Sequence, residues 1–277
     1  MTSFLFKRSY HGLVQAAIFD WAGTMVDFGC MAPASVFVDV FKKHGVEPTM
    51  EQAREPMGMH KKDHIRVMMH MPAIQAAWMQ AHGVAPTEAD VEALFQEFVP
   101  MQLACIAKHA DIIPGALDCV ANLRSMGMKI GSTTGYNNAM MDILVPAAAK
   151  QGYTPDNVVA VTEVPAGRPA PWMALESAKR LGVYPVESIV KIGDTPADIA
   201  EGLNAGMWSV GVVDHGNEVG MTQATLEALE ANEREARIER ASVRLAQAGA
   251  HYVVNTIAEV PIVIDEICSR LAAGEKP

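Results

Sequence analysis

"AAIFDWAGTMVD", residues 16–27, runs a short apolar segment into a carboxylate, Asp20, and then into a small turn that carries Gly23 and Thr24. The wider run "LVQAAIFDW" is apolar without alternation, the pattern of a strand buried on both faces that delivers a polar residue at its carboxyl end. Similar runs return later: "MKIGSTTGY" (128–136), "NVVAVTEV" (157–164), "SIVKIGDT" (188–195) and "MWSVGVV" (207–213), most of them separated by helical segments. Strand alternating with helix predicts an α/β fold built on a doubly wound, Rossmann-like parallel sheet.

Between the first strand and the rest the texture changes. "PASVFVDVFKKHG", "AIQAAWMQAHG" and "TEADVEALFQEFVPMQLACIAKH" have helical periodicity with no convincing strand among them, which predicts an inserted α-helical domain. We expect a core of residues 1–28 and 109–277 and an insert of residues 29–108, with hinges near Asp27 to Gly29 and His109 to Pro114. Residues 218–244, rich in Glu, Ala and Arg, predict an exposed charged helix, and "HYVVNTIAEVPIVIDEI" a closing strand and helix.

The 277 residues carry 22 Lys and Arg against 32 Asp and Glu, and a formal charge of -10 argues against nucleic acid or an anionic membrane as the partner. A small anion needs only a local positive cluster. The cysteines, Cys30, Cys105, Cys119 and Cys268, form no CxxC pair, so neither a disulfide framework nor a zinc site is expected and a reducing cytoplasm is. The apolar run ahead of Lys7 and Arg8 is too short for a signal peptide, and no apolar segment is long enough to cross a bilayer.

Ligands of a doubly wound sheet sit at the carboxyl ends of its strands. Four strand ends here carry groups suited to phosphate: Asp20 with Gly23 and Thr24; Thr134 with Gly135; the "GRPAP" loop with Arg168; and "GDTPAD" with Asp194 and Asp198. Two carboxylates from separate strands can hold magnesium, which prefers oxygen ligands. A hydroxyl, a glycine amide and a guanidinium can grip phosphoryl oxygens, leaving Asp20 free to attack phosphorus. Taken singly, each element is equally a turn former, a strand end or a surface cation; their order along the chain is what sets them apart.

That order resembles the haloacid dehalogenase superfamily of phosphotransferases, over nearly the whole chain. There the first carboxylate is the nucleophile, and a second, two residues on, protonates the leaving oxygen. This chain has Ala22 at that place. Loss of the acid would remove roughly 10²- to 10⁴-fold in rate from an ordinary ester hydrolase, so a plain alkoxide is not the expected leaving group. The insert offers a substitute in "EPMGMHKKDHIRV", residues 55–67: a helix from about Gly58 sets Met57, Lys61 and His64 on one stripe, at spacings of four and three, with Lys62 turned about 100° away. Such a neighbourhood lowers a lysine pKa, although periodicity alone fits a surface helix with a snorkelling Lys as well.

"FDWAGTMVDFGC", "PMGMHKKDH", "GSTTGY", "GRPAPW" and "KIGDTPADI" together resemble the phosphonatase branch, the phosphonoacetaldehyde hydrolases. The resemblance implies hydrolysis of a carbon–phosphorus bond, with Lys61 forming a Schiff base to the substrate aldehyde and Asp20 taking the phosphoryl group. It also implies magnesium at Asp20, the Ala22 carbonyl and Asp194, with Asp198 in support; phosphonate oxygens at Thr134, Gly135 and Arg168; and a wall of Cys30, Met57, His64 and Tyr136, His64 being a candidate proton carrier. A homodimer through the insert's first helix is implied as well. The rivals are a haloacid dehalogenase, which uses an Asp nucleophile without metal, and a silent metabolite-binding member.

Overall fold

The computed structural model describes residues 9–277; Lys7, Arg8 and the apolar run before them lie outside the described residues. β1 (Ala16–Phe19) is sunk in apolar contact on both faces, Ala17 and Phe19 in one core cluster, Ala16 and Ile18 in another. That two-sided burial explains why its sequence does not alternate. The other strands are β2 (Lys129–Thr134), β3 (Val159–Ala160), β4 (Ile189–Gly193), β5 (Trp208–Val212) and β6 (Tyr252–Val254). All pair in parallel in the order β3-β2-β1-β4-β5-β6.

β3 is shorter than its apolar run because the Glu163 carboxylate takes the Ala160 N–H (2.8 Å) and turns residues 161–163 into a short helix.

Between β1 and β2 stand α1 (Met31–Lys43), α2 (Met50–Arg54), α3 (Lys61–His70), α4 (Pro72–His82) and α5 (Glu88–Ile106), with no strand among them, and then α6 (Ala116–Ser125). Phe37 and Phe41 of α1, Ile65 and Met68 of α3 and Phe98 of α5 share one continuous apolar cluster with Phe19, Trp21 and Ile192 of the sheet side. The chain crosses to the insert and back along adjacent paths: Val26 bridges Ile112, and the Asp27 N–H donates to the Asp111 carbonyl (3.2 Å). Asp27 has φ +59 and caps α1 through the N–H groups of Met31 and Ala32.

The remaining helices are α7 (Asn138–Ala149), α8 (Trp172–Leu181), α9 (Pro196–Asn204), α10 (Gln223–Glu227), α11 (Ala231–Gln247) and α12 (Val260–Ala272). The single exposed helix expected over 218–244 is corrected: residues 217–219 form a turn with Val219 buried, and Thr222 caps a separate short helix before α11. Gly220, at φ +65, turns the chain ahead of α10, and residues 228–230 separate that helix from α11.

Candidate active site

Asp20 is the first residue past β1, and its N–H extends the ladder to the Ile192 carbonyl (2.9 Å), which fixes the carboxylate at the sheet's carboxyl edge. The next residues fold back on themselves, with the Gly23 N–H donating to the Val26 carbonyl (2.7 Å). Gly23 has φ +86, and a Cβ there would lie 2.2 Å from Asp194 Oδ2. Glycine thus lets the turn's backbone press against the second carboxylate.

Asp194, just past β4, accepts the Thr24 hydroxyl at Oδ1 (2.9 Å) and the Asn217 N–H at Oδ2 (2.8 Å). Asp198, in the first turn of α9, accepts from the Lys191 ammonium (2.7 Å), the Thr195 hydroxyl (2.6 Å) and the Arg168 guanidinium (3.0 Å). Oxygens of Asp20, Asp194 and Asp198 lie within 4.8 Å of one another. Burial first, then the charges of Asp20 and Asp198, hold the Asp194 carboxyl well above the usual range. Burial and the Asp198 charge push Asp20 up to about 6, against the pull of Arg168 and Lys191. Asp198 goes the other way: despite burial, Arg168 and Lys191 hold it below the ordinary value.

Those differences separate the three carboxylates chemically. Among the described residues Asp194 has no cation in ion-pair contact, and Asp20 has only Arg168 (2.7 Å). The ionised pair therefore lacks the positive charge that a divalent cation with oxygen ligands would supply, and the donor set suits one. Asp198 has its oxygens taken by donors and fits a supporting place.

On the opposite side, Thr134 ends β2 and its hydroxyl oxygen accepts the Tyr136 N–H (3.1 Å). Arg168 is more committed than its loop suggests. Its Nε donates to Glu201 (2.8 Å), one terminal nitrogen serves Thr133, Asp20 and Asp198, and the other reaches the Gly58 carbonyl of the insert (3.3 Å). The insert's turn lies so close over the sheet that a Cβ on Gly135 would come within 2.8 Å of the Met59 carbonyl oxygen.

Lys61 is the first residue of α3, later than the helix start expected at Gly58, which has φ +88 and forms a turn. Met57 consequently lies on the preceding turn and still meets the amine, Sδ to Nζ 3.9 Å. The Lys61 Nζ stands 5.0 Å from the Tyr136 ring centroid and 5.6 Å from that of Phe37. Burial lowers its pKa, with Arg168 adding to the effect and Cys30 and Asp20 opposing it. His64 is wholly buried, stacked 3.6 Å from Phe37, and its Nε2–H donates to the Ala53 carbonyl (2.9 Å). Burial and then the Lys61 charge keep it neutral.

One small cavity of ≈ 20 Å³ gathers Asp20, Ala22, Cys30, Met57, Lys61, Thr134, Gly135, Tyr136 and Arg168. Thr24, His64, Asp194 and Asp198 stand behind these residues and do not line it. Thr195 and Gly58, also on its wall, were not foreseen, nor were Lys191 and Glu201 beneath Arg168. Lys191 had a signal: a cation inside the apolar strand run "SIVKIGD" has to be paired when buried. Asp198 and Glu201, three apart, share a face of α9 that looks toward it.

A haloacid dehalogenase-like hydrolase family model matches residues 14–206. Phosphonoacetaldehyde hydrolases of Nitratidesulfovibrio vulgaris and Syntrophobacter fumaroxidans are 50% and 45% identical, each covering 100% of this chain and 99% and 100% of their own lengths. The chain belongs to the phosphonoacetaldehyde hydrolase family of haloacid dehalogenase-like hydrolases. A solved phosphonoacetaldehyde hydrolase-like protein from Oleispira antarctica, 42% identical, superposes over 100% of both chains with a TM-score of 0.96. The chain is thus an enzyme, a hydrolase with the family's parallel-sheet fold and helical insert.

Proposed function

We propose that this phosphonoacetaldehyde hydrolase family member cleaves the carbon–phosphorus bond of phosphonoacetaldehyde, giving acetaldehyde and phosphate through a Lys61 Schiff base and an Asp20 aspartyl phosphate. One observation carries the reading. Across a single cavity, a lysine amine with no carboxylate in ion-pair contact among the described residues meets an Asp whose usual acid neighbour is Ala22.

The lowered pKa leaves more of Lys61 as free amine, which adds to the aldehyde carbon and, with loss of water, forms a protonated imine. The carbon–phosphorus bond then breaks toward the imine. Its electron pair becomes the enamine, and phosphorus passes to an Asp20 oxygen. Water hydrolyses the aspartyl phosphate, the enamine takes a proton at carbon, and a second water frees acetaldehyde and Lys61. Since imine formation released one water, one is consumed overall. The iminium takes the electrons that an acid at position 22 would otherwise have had to manage.

Thr134, Gly135 and Arg168 bind the phosphonate oxygens in this reading, and Cys30, Met57 and Tyr136 wall the amine. Magnesium held by Asp20, the Ala22 carbonyl and Asp194, with Asp198 in support, supplies positive charge to the phosphoryl oxygens. His64, held neutral and facing away from the cavity, serves better as a wall behind Lys61 than as a proton carrier.

A cavity of ≈ 20 Å³ has room for about one water. Admission of substrate therefore requires the insert, 29–108, to move off the core, 1–28 and 109–277, on the paired crossings at Asp27 and Asp111. A cytoplasmic setting is part of the reading: the described cysteines are unpaired, and no helix among the described residues is long and apolar enough to cross a membrane. A homodimer through α1 would have to use a polar face, because the helix buries its apolar residues within the chain and exposes Asp39, Lys42 and Lys43.

Borohydride reduction in the presence of phosphonoacetaldehyde, followed by peptide mass mapping, tests the chemistry. A two-carbon adduct on Lys61 is expected. A label on another lysine, or none from enzyme that releases phosphate, overturns it.

A further inference from the structure

The seam between insert and core is tied by one buried cation that the reaction does not use. Arg54, at the end of α2, donates through one terminal nitrogen to the Gly29 carbonyl (2.8 Å) and to the Asn217 side-chain oxygen (3.1 Å). Its own carbonyl accepts the Asn217 side-chain N–H (3.2 Å), so a single insert residue grips both ends of that amide. The backbone N–H of the same Asn217 donates to Asp194 Oδ2 (2.8 Å). Gly29, on the outgoing crossing, is in turn fixed by its N–H to the His215 carbonyl (2.8 Å). Arg54 and Asn217 are both buried, and neither lines the cavity.

We infer that Arg54 and Asn217 are a positioning pair that transmits the seating of the insert to Asp194. The inference rests on the proposed reading of Asp194 as a cation ligand. With the insert seated, Arg54 holds the Asn217 amide and so the loop whose N–H fixes one oxygen of Asp194. With the insert lifted, that loop loses its partner. By reciprocity, a cation at Asp194 favours the seated insert and hence the delivery of Lys61 to the cavity. The carboxylate in the core and the amine in the insert, which share no direct contact, are thereby linked.

Calorimetric titration of the full chain with magnesium decides the matter, comparing native protein, Arg54→Met, Asn217→Ala and the double variant, each with its thermal midpoint. Affinity is expected to fall about 10- to 100-fold in each single variant, the scale on which partners of metal ligands act. The double variant should be no weaker than the worse single, because both break one path. Arg54→Lys should recover part of the loss, since one ammonium cannot match the guanidinium's fork. Borohydride labelling of Lys61 should rise on addition of magnesium in the native protein and lose that response in the variants.

A merely structural role predicts lowered midpoints with native magnesium affinity, and that result overturns the pairing, as does additivity of the two variants. Should Arg54→Met not fold, Asn217→Ala decides alone. Weakened affinity in the variants with no label on native Lys61 condemns the lysine chemistry and keeps the pairing; the reverse pattern condemns the pairing alone.

Discussion

On the sheet side of the cavity both cations are answered by carboxylates, Arg168 by Asp20, Asp198 and Glu201, and Lys191 by Asp198, whereas on the insert side Lys61 faces two aromatic rings and a thioether. The sheet side is therefore set by a charge network fixed before ligand arrives, which suits groups that must stabilise charge on a phosphoryl unit. The insert side is set by packing. A lysine denied a carboxylate partner and buried among rings has its ammonium form disfavoured, which is what a nucleophilic amine requires. Two walls of opposite electrostatic construction thus share one small volume, and the proposed reaction needs both.

The largest test of that contrast is to remove the amine and keep the packing. Lys61→Met should lower phosphate release by about 10⁴-fold or more, the scale seen when a covalent nucleophile is lost, while magnesium titrates the protein as before. Equal loss of magnesium affinity would show that Lys61 also serves the charge network, and the division between the two walls would fail.

Next in size is the network itself. Glu201 is fully buried and fixes Arg168 through Nε (2.8 Å). Glu201→Gln keeps the shape and removes the charge, and a guanidinium displaced by as little as 1 Å should slow phosphate release roughly 10²-fold. Borohydride labelling of Lys61 should persist, since imine formation needs no phosphoryl transfer. A variant that lost labelling and turnover together would place Glu201 in support of the insert instead.

The same contrast explains what the sequence made legible. The sheet side was readable because β1, β2 and β4 each run into a polar residue at the sheet's carboxyl edge, so Asp20, Thr134 and Asp194 could be numbered from apolar runs alone, and Ala22 stood out by position. Arg168 was readable as a cation and not as a hub, because Glu201 meets it, and Lys191 shares its carboxylates, only through the packing of α9 against β4. On the insert, the meeting of Met57 with Lys61 came through although the helix starts at Lys61, since the turn at Gly58 still brings Met57 to the amine, whereas His64 turns to Phe37 and the Ala53 carbonyl and does not line the cavity. Arg54 and Asn217 gave no signal: their partnership spans the interval from α2 to the loop after β5, and neither belongs to a local pattern.

The smallest expected effect concerns stability, and it sharpens the contrast through histidine. His215 is buried beneath the turn after Asp20, its Nδ1–H donating to the Gly23 carbonyl (2.7 Å) and its Nε2 accepting the Ile257 N–H (3.1 Å). Both ring nitrogens are thus engaged in the neutral form, and burial pushes the pKa down to about 4, with the Gly23 bond opposing. The unfolded chain binds a proton near pH 6.5 that the folded chain refuses until about 4. The contribution of His215 is therefore complete above pH 6.5 and declines as pH falls toward 4, by roughly 3 kcal/mol in all.

His215→Gln retains a donor for Gly23 and removes the titration, so urea unfolding should give a stability gap between native and variant that narrows by that amount as pH falls from 6.5 to 4. Taking the difference cancels the contrary contribution of Asp20 and Asp194, whose raised pKa values make the fold take up protons in acid. A gap that stays constant would mean that the protonated ring is accommodated under the turn. The Gly23 contact would then hold a cation as readily as a neutral ring, and the sheet side would owe less to fixed charge pairing than its ion pairs indicate.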